Sequence, residues 1–144
     1  MSRFYFEINI LQSPDSPVVG IGLSKEHVHP DDFVGWKEDS WGYHGDDGNF
    51  HTAGHHEPYG PYYGAGDVVG CGYDRQSQSI FFTVNGEKQR DVATAVCGQL
   101  YPTVSIQRLV ADTHVVINFG PYFQFDTAEL DLSSASVSQD DAEL

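Results

Sequence analysis

Apolar and polar residues alternate with period two from the start of the chain. In FYFEINI (4–10), Phe4, Phe6, Ile8 and Ile10 fall on one face and Tyr5, Glu7 and Asn9 on the other, the pattern of a strand laid on a core. Runs of similar character follow: VVGIGL (18–23), WGYH (41–44), DVVGCGYD (67–74), SIFFTVN (79–85), LYPTVSIQ (100–107) and THVVINFG (113–120). Fifteen Gly and seven Pro punctuate them, so hardly any uninterrupted stretch reaches the roughly 10–12 residues an ordinary helix needs. Asn85-Gly86 is the clearest hairpin signal, because both turn positions need positive φ and these two residues tolerate it best. Many short strands at this spacing predict an all-β fold, an antiparallel sandwich. Residues 45–66, GDDGNFHTAGHHEPYGPYYGAG, are the one segment predicted to have no structure of its own. Long connections on a rigid sheet are where binding residues concentrate.

The chain has 144 residues, enough for one domain with a substantial core. Seven Lys+Arg stand against 21 Asp+Glu, a net charge of −14. Phosphate backbones and anionic lipid both need clustered cations, so nucleic acid and membrane surfaces are excluded as partners. No apolar run approaches the ~18–20 residues of a bilayer span. The N-terminus, MSRFYFEINI, lacks the basic-then-apolar layout of a signal peptide, which predicts a cytoplasmic chain with access to the nucleus. Cys71 and Cys97 have no CxxC partner, in keeping with a reducing compartment. From Asp126 onward there are six acids, no base and no aromatic residue. Residues 127–144 therefore read as an acidic, Ser-rich disordered tail behind a domain of residues 1–126.

Histidine forms the most tempting chemical cluster. His51, His55 and His56, with His44, Asp46 and Asp47 nearby, supply the nitrogen and oxygen donors zinc uses, but zinc needs three or four of them in tetrahedral array. His51 and His55 share a face only on a helix, and Thr52-Ala53-Gly54 argues against one. The segment is read as a solvated loop holding no metal. GDDGN superficially matches a calcium loop but lacks its alternating acids and terminal Glu. Cys71, inside an apolar strand, reads as a small buried hydrophobe. No nucleophile elbow, phosphate loop or dinucleotide fingerprint is present, so neither catalytic residues nor a cofactor are expected. Aromatics carry more information. Trp36, Trp41, Tyr43, Tyr59, Tyr62 and Tyr63 sit in or beside turns, and together they look like a recognition surface on a β scaffold.

GIGLS (20–24), GWKEDSWGYHGDDGNF (35–50), PYGPYYGAGDVVGCGYD (58–74), IFFTVNG (80–86), LYPTVSIQ (100–107) and VVINFGPYFQFD (115–126) together resemble a SPRY domain. SWGYHGDDG, YGP…GDVVGCG and LYPTV are most similar to the Ran-binding-protein-M-like branch, which includes scaffold subunits of a ubiquitin ligase. The resemblance covers about residues 3–126 in order. It implies a bent, two-layer antiparallel β-sandwich of the concanavalin-like jelly-roll kind, without catalytic residues, acting as a monomer that binds a short peptide segment of a protein partner. It also implies where. One wall of the surface is Asp32, Phe33, Trp36 and Lys37, the other Gln107, Arg108 and Leu109 after LYPTV, with Tyr43 from the aromatic set. In that family one or two strands usually precede the FYFEINI-like strand, whereas here Met1-Ser2-Arg3 stand before it. The expected role is recruitment of substrates or partners to a ubiquitin ligase. A secreted parasite effector using the same surface and a lectin-like sugar-binding sandwich are the alternatives.

Overall fold

The computed structural model describes residues 3–14, 18–92, 95–107 and 112–128. The strands expected from alternation are present as β1 (Arg3–Gln12), β2 (Val19–Ser24), β3 (Ser40–His44), β6 (Val68–Asp74), β7 (Ser79–Val84), β9 (Tyr101–Ile106) and β10 (His114–Asn118). They form two five-stranded antiparallel sheets. Sheet A runs β10-β1-β6-β7-β8, where β8 is Glu87–Lys88. Sheet B runs β5-β4-β3-β2-β9, where β4 is Asn49–Thr52 and β5 is His55–Pro58. The all-β sandwich is therefore present. Asn85 (φ 50°) and Gly86 (φ 85°) make the turn between β7 and β8, as their chemistry demands.

One expectation is corrected. Residues 45–66 are not without structure: they contain β4 (Asn49–Thr52) and β5 (His55–Pro58), a hairpin turned by Ala53 (φ 52°) and Gly54 (φ 80°). These strands carry His, Glu and Pro in place of apolar alternation, because much of their side-chain surface faces water. Ladder hydrogen bonds hold them instead, β4 to β3 and β5 to β4.

The core lies between the sheets. Phe6, Ile8 and Ile10 of β1, Val69, Cys71 and Tyr73 of β6, and Ile80 and Phe82 of β7 face Val19, Ile21 and Leu23 of β2, with Tyr43 and Phe50. Each large apolar side chain buried here contributes about 1.5–3 kcal/mol. Cys71 is buried as expected, and desolvation pushes its thiol above the usual range.

The other face of sheet A is covered too. Tyr5 and Glu7 point away from the core yet are buried. Gly70 and Gly72 of β6 pair with Glu7 and Tyr5, and the space left by their missing side chains is filled by the Tyr5 and Phe81 rings. Phe125 and Phe123 close over those rings, 5.3 and 4.9 Å from Tyr5. Glu7 pins this cover. Its Oε1 accepts the Gln124 amide at 2.9 Å, and its Oε2 accepts the Phe125 amide at 3.0 Å and the Tyr5 hydroxyl at 2.7 Å.

Candidate functional site

The outer face of sheet B is the mirror case. Alternation puts Gly20 and Gly22 of β2, Gly42 and His44 of β3, and His51 of β4 on it. The glycines make a shallow trough, and the loop between β2 and β3 lies in it. A Cβ on Gly20 would come within 2.6 Å of the Phe33 ring, and one on Gly42 within 2.6 Å of the Val34 carbonyl oxygen, so only glycine lets the loop approach this closely.

Three hydrogen bonds tie the loop down. The Val34 amide donates to Ser105 Oγ at 3.0 Å, and the Gly35 amide to Ser40 Oγ at 2.7 Å. His44 Nε2 donates to the Val34 carbonyl at 2.6 Å; a carbonyl only accepts, so this nitrogen carries the proton. Phe33 packs edge-on to the His44 ring with centroids 4.8 Å apart. Burial of His44 holds its pKa down to about 4, with the bond to Val34 acting the other way, so it is neutral at pH 7. At the loop's base Lys25 and His27 reach Asp39 at 3.7 and 3.0 Å.

The expected site residues separate accordingly. Phe33 is buried and anchors the loop. Trp36, beside it with ring centroids 5.6 Å apart, is 53% exposed. Lys37 is exposed and Asp32 half-buried. Gln107 is exposed at the end of β9, next in the chain to the strand whose Ser105 holds Val34. Arg108 and Leu109 lie outside the described residues. Tyr43 does not reach this surface: it is 0% exposed, on the core side of β3 between Tyr59, Tyr63 and Phe82, with its hydroxyl donating to the Pro61 carbonyl. Tyr63 is buried as well, whereas Tyr62 is largely exposed. Aromatic type alone does not separate packing from recognition; strand parity does, since Tyr43 shares a face with the inward Trp41 and not with His44.

The histidines also group differently from the sequence expectation. His51 faces His56 across the β4–β5 hairpin, whereas His55 faces Thr52, so His51 and His55 lie on opposite faces. The His44 and His51 rings stack 3.7 Å apart at 13°, and His51 Nε2 donates to Asp47 Oδ2 at 2.9 Å. Burial would raise the Asp47 carboxyl, but the Asn49 amide and His51 outweigh it and leave its pKa below the usual value. Donor atoms of His44, Asp47 and His51 lie within 4.8 Å of one another. Parallel stacked rings, however, aim their in-plane lone pairs side by side and not at a common point about 2.0–2.1 Å away, as zinc requires. Both Nε2 atoms are already committed to oxygen acceptors. The group works as a hydrogen-bonded stack beneath the loop. His44 is the positioning residue the sequence reading missed; its place next to the glycines of β2 and β3 was the available signal.

The SPRY domain family profile matches residues 3–122. Human Ran-binding protein 9 is 39% identical over 125 residues, covering 85% of this chain and 17% of that protein. The Arabidopsis thaliana Ran-binding protein M homolog is 36% identical over 138 residues, covering 94% of this chain and 29% of that protein. The chain thus spans less than a third of the length of these relatives. A crystal structure of a human SPRY domain superposes with a TM-score of 0.71 at 26% identity, over 83% of this chain and 78% of that one. The SPRY domain of human HERC1 gives 0.69 at 23% identity, over 85% and 77%, a likeness of fold.

Proposed function

The chain belongs to the SPRY domain family, whose members are protein–protein interaction modules, and we propose that it binds a short peptide segment of a protein partner on the loop laid over sheet B. The observation that carries this reading is Trp36. A half-exposed indole, next to exposed Lys37, stands on a loop whose preceding residues Phe33 and Val34 are locked into the sandwich. Interface energy concentrates in such aromatic and cationic anchors, and a loop ordered before binding loses little entropy on contact. The family resemblance assigns the second wall to Gln107, Arg108 and Leu109, the last two outside the described residues. The module acts without catalysis, as a monomer, in the cytoplasm or nucleus. Through its similarity to the Ran-binding-protein-M-like branch, its role is recruitment to a ubiquitin ligase.

The test is a pull-down with the purified domain, peptide mapping of the captured protein, and titration of the mapped peptide. Trp36→Ala is expected to weaken binding by about ten-fold or more, since loss of a hot-spot side chain typically costs more than ~1–2 kcal/mol. Unchanged affinity in Trp36→Ala and Arg108→Ala together would place recognition on another face.

A further inference from the structure

The two sheets do not end together. Tyr43 and Phe50 of sheet B pack on Phe82 of β7, and β2 crosses β6. The next strand of sheet B, β9, therefore lies over β1, and β10 has no described strand opposite it. The consequence is visible in exposure. Ile117 and Phe119 lie beside Ile8 and Phe6 on the core-facing side of sheet A, yet are 46% and 61% exposed. Across the gap Ile106 of β9 is 41% exposed.

The β9 edge itself is open to pairing. The Gln107 amide bonds the Val18 carbonyl at 2.9 Å, so by antiparallel alternation residues 101, 103, 105 and 107 bond toward β2. Val104 and Ile106 then turn their N–H and C=O groups outward. Pro102, the other outward residue, is one whose missing N–H costs the ladder nothing. No described strand pairs with this edge. Beside it, on the outer face, runs a groove of about 460 Å³ lined by Tyr101, Thr103 and Ser105 of β9 and by Lys25, Glu26 and Asp32 of the loop. Lys25 is paired with Asp39, which leaves the two carboxylates to set the sign of the groove.

We propose that the β9 edge is a second docking surface, taking an extended partner segment as a sixth strand of sheet B, with apolar side chains alternating with basic ones. Such a strand would bond Val104 and Ile106, set its apolar side chains over Ile117 and Phe119, and turn its cations toward Glu26 and Asp32. The net charge of −14 favours a basic occupant and opposes a second copy of the chain. This surface goes beyond the Trp36 site: it shares Asp32 with that loop but makes no use of Trp36.

The probe is a seven-residue peptide alternating Lys and Val, compared with the same composition in two blocks and with Glu in place of Lys. The alternating Lys peptide is expected to bind about ten-fold or more tightly than either and to slow amide exchange at Val104 and Ile106. Ile106→Pro, which removes an outward amide and no bond to β2, abolishes the preference; Ile117→Asp, at a site already half-exposed, weakens binding about ten-fold. Trp36→Ala leaves this binding unchanged, which separates it from the recognition proposed above. Equal affinity for the three peptides, protection mapping away from β9, loss of binding in Trp36→Ala, or a β9-mediated dimer in sedimentation would each overturn the proposal.

Discussion

Both outer faces of this sandwich are covered by an irregular segment, and each cover is pinned by one buried polar side chain. On sheet A the cover is 121–126 and the pin is Glu7, which accepts two backbone amides. On sheet B the cover is 33–36 and the pin is His44, which donates to a backbone carbonyl. Glycines make the room in both cases: Gly70 and Gly72 under one, Gly20 and Gly42 under the other. The difference lies in what the cover presents. The sheet A cover turns Phe125 inward onto Tyr5 and Phe81 and finishes a second small core. The sheet B cover turns Phe33 and Val34 inward but leaves Trp36 in water. One completes the fold; the other uses the same construction to hold still the residue proposed for recognition.

The comparison breaks most visibly at the pins. Glu7→Ala leaves the Gln124 and Phe125 amides and the Tyr5 hydroxyl without that acceptor, at about 1–3 kcal/mol for each buried group left unmet. The expected loss in urea unfolding is about 3–5 kcal/mol, with Glu7→Gln, which keeps one acceptor oxygen, losing about half as much. A loss below that of an ordinary surface substitution would show that the cover holds without its pin.

His44 gives a smaller, pH-dependent effect. Its pKa is about 4 in the folded chain, against roughly 6.5 for an unfolded histidine. Its neutral form contributes stability that is fully present above pH ~6.5 and lost as pH falls toward 4, because the unfolded chain takes up the proton first. Between pH 7 and 4.5 that amounts to about 2 kcal/mol. Urea unfolding at the two pH values checks it: His44→Asn is expected to lose about 2 kcal/mol less than the parent over this interval. Parallel losses in both would place the acid sensitivity elsewhere, for instance on Asp47, whose carboxyl is held below its usual value.

Trp36→Ala sits at the low end. A half-exposed side chain whose main ring contact is Phe33 is expected to cost less than about 1 kcal/mol of stability by urea unfolding. A larger loss would make Trp36 part of the fold and remove the contrast between the covers.

What could be read from the sequence follows the same division. β1, β2, β6 and β7 were legible because a buried face imposes strict alternation. β4 and β5 were not, because a hairpin held by ladder bonds leaves no apolar period in HTAGHH. The stretch 32–37, proposed here for recognition, is singled out only by family resemblance, and the opposite fates of Phe33 and Trp36 were not legible: both are aromatic and three residues apart in a loop. Tyr43 was misplaced for the same reason. The pins were invisible as well, since period two assigns Glu7 and His44 to outer faces without saying what lies over them.

The two tryptophans provide the most direct test. Trp36 is exposed on the loop, and Trp41 is half-buried against the core a few residues away. Each indole N–H gives one signal in a two-dimensional nitrogen–proton NMR spectrum. On titration with the mapped partner peptide, the Trp36 signal is expected to shift and the Trp41 signal to stay in place. Movement of Trp41 alone, or of neither while the peptide binds, would contradict recognition by the sheet B loop.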